Sequence, residues 1–119
     1  MKNHNRILGE WGESEAEKYL NLKGYQIIDK NFYTPYGEID IICRKSNNLI
    51  FVEVKTRRNT TFGNPEVSIN QRKLEHMENS AKYYVQENEF SGTWQIDAIS
   101  IIKNNSSQVE IIHFENVIS

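Results

Sequence analysis

From Arg6 to Lys23 the apolar residues Leu8, Trp11, Ala16, Tyr19 and Leu20 return at helical spacing, and Gly24 then supplies a stop. An amphipathic helix is predicted there. The pattern then shortens: YQIIDKNFY is rich in β-branched and aromatic residues and runs into Thr34-Pro35-Tyr36-Gly37, so it reads as a strand ending at a turn. GEIDIIC and LIFVEVK predict two more strands, joined through the polar stretch Arg44 to Asn48. The segment Thr56 to Pro65 reads as a loop. Ser68 followed three residues on by Gln71 resembles a capping box, which predicts a helix from Ile69 to Asn88 with Leu74, Met77, Ala81, Tyr84 and Val85 inward. WQIDAISII and QVEIIHF complete the chain as two strands about the turn Asn104-Asn105-Ser106-Ser107. The predicted order is α-β-β-β-α-β-β, and the expected fold class is α/β, a mixed sheet flanked by two helices.

Alternation along the second and third strands divides their side chains between two faces. Glu38, Asp40 and Ile42 are expected on one face and Ile39, Ile41 and Cys43 on the other. Likewise Phe51, Glu53 and Lys55 oppose Ile50, Val52 and Val54. A two-residue turn at Ser46-Asn47 sets Lys45 opposite Asn48. Carried back along the hairpin, that register brings Asp40 to Glu53 and Glu38 to Lys55, with opposed Cβ atoms roughly 5 Å apart.

Composition narrows the class. With 119 residues, 38% hydrophobic and 25% charged, the chain has the profile of one soluble globular domain spanning residues 1–119. It carries no signal-like leader and no apolar run near the roughly 20 residues a membrane helix needs. A single cysteine, Cys43, in an apolar run, reads as a buried hydrophobe and fits a cytoplasmic location. The net charge of −2 excludes a globally basic nucleic-acid binder, so any such contact requires a local patch. Lys55, Arg57 and Arg58, with Arg72 and Lys73 further on, form the densest one; an ordinary solvated face is the plain alternative.

The chemistry lies in the hairpin. Two adjacent carboxylates repel and raise one another's pKa unless a cation joins them. Oxygen-only donors without His or Cys at ligand spacing suit Mg²⁺ or Mn²⁺ rather than zinc. Such an ion assists phosphodiester hydrolysis, and Lys55 on the face of Glu53 could orient water or stabilise developing negative charge. An isolated E-x-K on a half-exposed strand is more commonly a solvated ion pair. His4, His76 and His113 read as structural or surface residues, and Trp11 and Trp94 as core.

These residues carry a resemblance. Asp40, followed thirteen residues later by Glu53-Val54-Lys55 within this element order, resembles the PD-(D/E)XK nuclease superfamily, the restriction-endonuclease-like fold. More narrowly, Gly12-Glu13 followed by Ala16 and Tyr19-Leu20, then GEIDII, FVEVKTRR, Lys73 and Asp97, resembles the small bacterial YraN-like family, itself similar in fold to archaeal Holliday-junction resolvases. The resemblance implies Asp40 and Glu53 as metal-binding acids, the Val54 carbonyl as a further ligand, Lys55 as catalytic lysine and Glu13 as a first-helix acid. On the helix itself Glu13 borders the apolar face, where Gly9, Gly12 and Ala16 would permit close approach to the sheet. The resemblance also implies a phosphate contact from Lys73. Gln95-Ile96 replaces the family's usual Arg-Phe before Asp97, which removes the arginine that strand would otherwise present.

The leading expectation is thus a Mg²⁺- or Mn²⁺-dependent endonuclease acting on DNA, branched or otherwise structured, with Glu13, Asp40, Glu53 and Lys55 catalytic, Arg57, Arg58 and Lys73 on the nucleic acid, and a homodimer as one assembly. Two alternatives stay open: a non-cleaving nucleic-acid-binding protein with the same fold, and a protein-interaction domain whose acids form a surface network.

Overall fold

The computed structural model describes residues 4–58, 70–106 and 108–118. Its elements are α1 (His4–Leu22), β1 (Gln26–Thr34), β2 (Gly37–Lys45), β3 (Asn48–Arg58), α2 (Gln71–Glu87), β4 (Thr93–Lys103) and β5 (Val109–Phe114), in the order the hydrophobic pattern predicts. The five strands form one sheet in chain order. β3 and β4 run parallel and the other neighbours antiparallel. A parallel pair needs a long crossover, and α2 lies within that connection.

The sheet is covered on both faces. On one, Ala16 and Leu20 of α1 pack with Ile41, Cys43, Ile50, Val52, Ile99 and Ile101. On the other, Ala81 of α2 packs with Ile39, Ile42, Leu49, Phe51 and Ile96, and Met77, Tyr84, Val117 and Ile118 close the edges. The central strands are therefore buried on both sides, and β4 is buried without a break from Ile96 to Ile102, with Asp97 and Ser100 its polar members. Each fully buried Ile or Leu removes enough apolar surface from water to contribute about 1.5–3 kcal/mol. Among the described residues no helix is long and apolar enough to cross a membrane.

The boundaries follow local chemistry. α1 stops where Gly24 takes a left-handed φ of 90°, which lets the Tyr25 N–H reach back to the Leu20 carbonyl at 2.9 Å. Cys43 is buried, as expected of a small hydrophobe. α2 begins at Gln71, not Ile69, because Asn70 is the cap: its side chain accepts from the Lys73 N–H at 2.8 Å. Ser68, the expected cap, lies outside the described residues, as do 59–65 of the expected loop and Ser107 of the last turn. β3 continues through Thr56 to Arg58, where a loop was expected, because β4 pairs with it as far as Arg58–Lys103.

The hairpin register is the predicted one, with Lys45 opposite Asn48 and Ile41 opposite Val52. Phe51 goes to the α2 face and Ile50, Val52 and Val54 to the α1 face, as alternation requires. β2 departs from it. Ile39 packs on the α2 face with Ile42, whereas Ile41 and Cys43 pack on the α1 face. The paired register of β2 and β3 also ends at Ile41–Val52, so the predicted cross-strand pairs of Asp40 with Glu53 and Glu38 with Lys55 lie beyond the ladder. The side chain of Asp40 explains the interruption.

Candidate functional site

Where the β2–β3 ladder ends, Asp40 Oδ2 accepts the Val54 N–H at 2.8 Å, so a carboxylate takes the place of a strand carbonyl. Glu53 follows from β3 on the α2 face and pairs with Lys73 Nζ, at 3.1 Å, from the first turn of α2. Glu13 arrives from α1. Its approach depends on Gly12: a Cβ added there would lie 1.9 Å from Thr56 Oγ1, so only glycine lets α1 settle against the end of β3. Ala16 is likewise buried against the sheet, but Gly9 has open space around its missing side chain and is not needed for the approach, contrary to expectation.

These placements gather acids. Burial first, then Glu53, with Glu13 and Glu38 adding, push the Asp40 carboxyl up to about 8; the Val54 N–H opposes them. Glu13 is also raised, by burial and then by Glu38, Glu53 and Glu10, with Lys30 opposing. Four carboxyl groups from three elements thus share one region at an end of the sheet. The sequence foresaw Asp40, Glu53 and Glu13 here, whereas it set Glu38 on the face of Asp40 and opposite Lys55.

Asn31, which the hydrophobic pattern did not single out, joins Glu38 to Glu13. With its amide nitrogen turned toward the acids it donates to Glu38 Oε1 at 2.7 Å and Glu13 Oε1 at 3.0 Å, joining β1 to both. Its φ is 51°, a left-handed conformation that asparagine tolerates better than other non-glycine residues. The sequence signal was an asparagine in the middle of a strand-like run.

The cations are arranged unequally. Lys73 is committed to Glu53, which makes it more than a bystander on the helix surface. Lys55 is exposed two residues beyond Glu53, and Arg57 and Arg58 follow at the end of β3, half-buried and exposed respectively. Val54 enters through its N–H.

Whether such a set suits a divalent ion can be judged from its donors. Among the described residues no three acids, imidazoles or thiols stand in ligating geometry. Magnesium, however, is commonly held by one or two carboxylates, with water and substrate phosphate completing its shell. Asp40 and Glu53 offer hard oxygen donors, and burial together with the neighbouring Glu53, Glu13 and Glu38 raises the Asp40 carboxyl, a crowding that a cation would relieve. The residues fit Mg²⁺ or Mn²⁺ on those terms.

A second polar cluster lies deeper. Asp97 is fully buried, and its carboxylate accepts from Gln95 Nε2 at 2.8 Å and the Asn116 N–H at 2.9 Å while meeting His113 Nε2 at 2.7 Å. His113 Nδ1 lies 3.0 Å from the Tyr19 hydroxyl of α1, and Gln95 Oε1 accepts from Asn48 Nδ2. Gln95 thereby supplies the hydrogen bond that an arginine could otherwise give, and His113 is a structural histidine, as expected. Trp94 stacks edge-on against Phe51 in the core, and Trp11 packs against the α1 cluster with Lys103 over its ring. His76 is exposed on α2.

Comparison with known proteins agrees with the narrower of the two resemblances, that to the YraN-like family. A UPF0102 protein of Syntrophomonas wolfei is 46% identical over 99 residues, covering 82% of this chain and 86% of that protein. One from Thermodesulfovibrio yellowstonii is 41% identical over 109 residues, with 92% and 93% covered. One from Clostridium novyi is 40% identical over 115 residues, with 96% of each covered. The sequence model of the uncharacterised protein family UPF0102 matches residues 12–101, from the glycine that seats α1 to the core of β4, and the chain belongs to that family, the YraN-like proteins.

Proposed function

We infer that this protein is a divalent-cation-dependent nuclease that hydrolyses phosphodiester bonds in DNA. The observation that carries the reading is Asp40: a largely buried carboxyl that accepts the Val54 N–H and is surrounded by Glu13, Glu38 and Glu53. Acids crowded in this way are unfavourable as packing and useful as ligands. Asp40 and Glu53, with the Val54 carbonyl, would hold Mg²⁺ or Mn²⁺, which when bound polarises a phosphoryl oxygen and makes bound water more acidic.

The remaining roles belong to the chain's own residues. Glu13, held by Asn31, supplies a further carboxylate to accept a proton from water or to orient it. Lys55, exposed on the face of Glu53, stabilises negative charge developing on the phosphate. Lys73 already supplies positive charge beside Glu53 and is near enough to the acids to contact a phosphate there. Arg57 and Arg58 extend the basic edge along the nucleic-acid backbone. A homodimer with two such edges would suit a branched substrate.

A second reading is favoured by the Lys73–Glu53 pair, which neutralises one of the acids: a protein that binds nucleic acid without cutting it. One experiment separates the two. Purified protein is incubated with branched, single-stranded and duplex DNA, with Mn²⁺, Mg²⁺ or chelator. Metal-dependent cleavage is expected, falling roughly 10³-fold in Asp40→Asn and Glu53→Gln while the fold is retained. Salt-sensitive binding without cleavage would leave the second reading, and neither binding nor cleavage would remove both.

A further inference from the structure

At the same end of the sheet, the end of β1 and the turn into β2 carry two tyrosines, Tyr33 and Tyr36, that the chemistry above does not use. Tyr33 is 75% exposed and Tyr36 is 49% exposed, and among the described residues neither ring has an aromatic or cationic partner. Isolated exposed apolar side chains such as Leu22 are ordinary on a protein surface. This pair differs in being held out by a braced turn. Thr34 Oγ1 donates to the Gly37 carbonyl at 2.7 Å, accepts the Tyr36 N–H at 3.0 Å, and meets Ser80 Oγ of α2 at 3.0 Å. Pro35 stiffens the backbone between the two rings. Gly37 closes the turn at φ 141°, a conformation that other residues rarely adopt.

The turn is also tied to the acids. Tyr33 pairs across the hairpin with Glu38, whose carboxylate Asn31 links to Glu13. β2 begins and β3 finishes at this end, because the two strands are antiparallel. One rim of the molecule therefore carries, in sequence across the sheet, the tyrosine turn on β1–β2, the acids of β2 and β3, and the Lys55, Arg57 and Arg58 end of β3. Cations along one part of a rim and flat aromatic faces along another match the two chemistries of an unpaired nucleic-acid strand, phosphate and base. Paired bases in a duplex are stacked on one another and offer no face to a tyrosine, so the rings favour bases outside a helix.

We propose that Tyr33 and Tyr36 form a stacking platform for unpaired bases next to the acid cluster, which selects DNA with single-stranded character such as a flap, fork or open junction. The proposal rests on the nuclease reading and assigns its substrate class. Stacking on an aromatic side chain strengthens binding roughly 5- to 100-fold per base, without preference for sequence.

The test uses the full chain carrying Asp40→Asn, which blocks cleavage, and fluorescence anisotropy on three labelled DNAs: a single strand, a forked duplex and a blunt duplex of matched length. Melting curves check that each variant folds. Tyr33→Ala with Tyr36→Ala is expected to weaken binding of the single strand and the fork by about tenfold or more, and to leave the blunt duplex unchanged. Tyr33→Phe with Tyr36→Phe is expected to bind as the parent does, because the ring and not the hydroxyl does the work. Equal loss on all three DNAs, no loss on any, or loss in the phenylalanine variant as large as in the alanine variant would overturn the proposal. Normal metal-dependent cleavage by the otherwise native protein, together with tyrosine-independent binding, would overturn it and leave the nuclease reading standing. No binding to any of the DNAs would overturn both.

Discussion

Asp40 and Asp97 are aspartates on two strands of the same sheet, separated by β3, Asp97 fully and Asp40 partly buried, and their surroundings are opposite. Asp97 is ringed by Gln95, His113 and the Asn116 N–H, so its acceptor capacity is spent inside the protein. Asp40 accepts the Val54 N–H and, among the described residues, is surrounded by three acids, Glu53, Glu13 and Glu38. A buried carboxylate with a full set of donors fixes structure. One left with unused lone pairs among like charges holds an acceptor in reserve. The difference separates a fold-determining aspartate from a ligand-seeking one.

That contrast is broken most sharply by removing Asp97. Asp97→Ala leaves the Gln95 amide, the His113 ring and the Asn116 N–H without their partner, and a loss on the order of 3 kcal/mol is expected. Against a total stability of about 5–15 kcal/mol for a domain of this kind, chemical denaturation would read that easily. A loss below about 1 kcal/mol would mean that the network is dispensable.

Asp40 should behave in the opposite sense. Its folded carboxyl titrates at about 8 against an ordinary value of 3.8, so the protonated form favours folding. That contribution is present in full below about pH 4 and is lost as pH rises through about 8. Asp40→Asn cannot ionise, and its melting temperature should gain on that of the native protein as pH rises across this window. Mn²⁺ should raise the melting temperature of the native protein more at high pH than at low, since the ligand must lose its proton first, and should do little to Asp40→Asn. Parallel pH curves for the two proteins would show that Asp40 ionises as an ordinary surface acid.

The smallest effect tests the margin of the cluster. The Lys73–Glu53 pair is half-exposed on the lysine side, so Lys73→Met should change stability by less than about 1 kcal/mol. If Lys73 meets a phosphate when DNA binds, the slope of log affinity against log salt should shallow by about one. An unaltered slope would confine Lys73 to the ion pair.

Much of this arrangement was legible in the sequence, and the parts that were not share a physical cause. Alternating apolar and charged positions in GEIDIIC and FVEVK predicted the hairpin, and the two-residue turn predicted its register from Lys45–Asn48 inward. Both rest on local geometry. Ile39 defied alternation because that rule assumes an unbroken ladder, whereas this one ends where the Asp40 carboxylate takes the Val54 N–H. The cap at Asn70 was missed because Ser68 with Gln71 made an equally good pattern, and only the backbone path decides which oxygen meets an N–H. The Tyr19–His113 contact joins residues 94 apart, a distance no spacing rule spans. Asn31 required knowledge that three strands and a helix converge at one end of the sheet.

Gly12 has a consequence for control of the molecule. Because α1 rests on Thr56 with no room for a methyl group, the position works as a shim of zero thickness. Any side chain there would lift the helix and carry Glu13 away from Asp40 without altering a single chemically active group. Graded bulk at one residue, from alanine to valine, would therefore tune the reach of the helix acid, a mechanical dial on a site otherwise governed by charge.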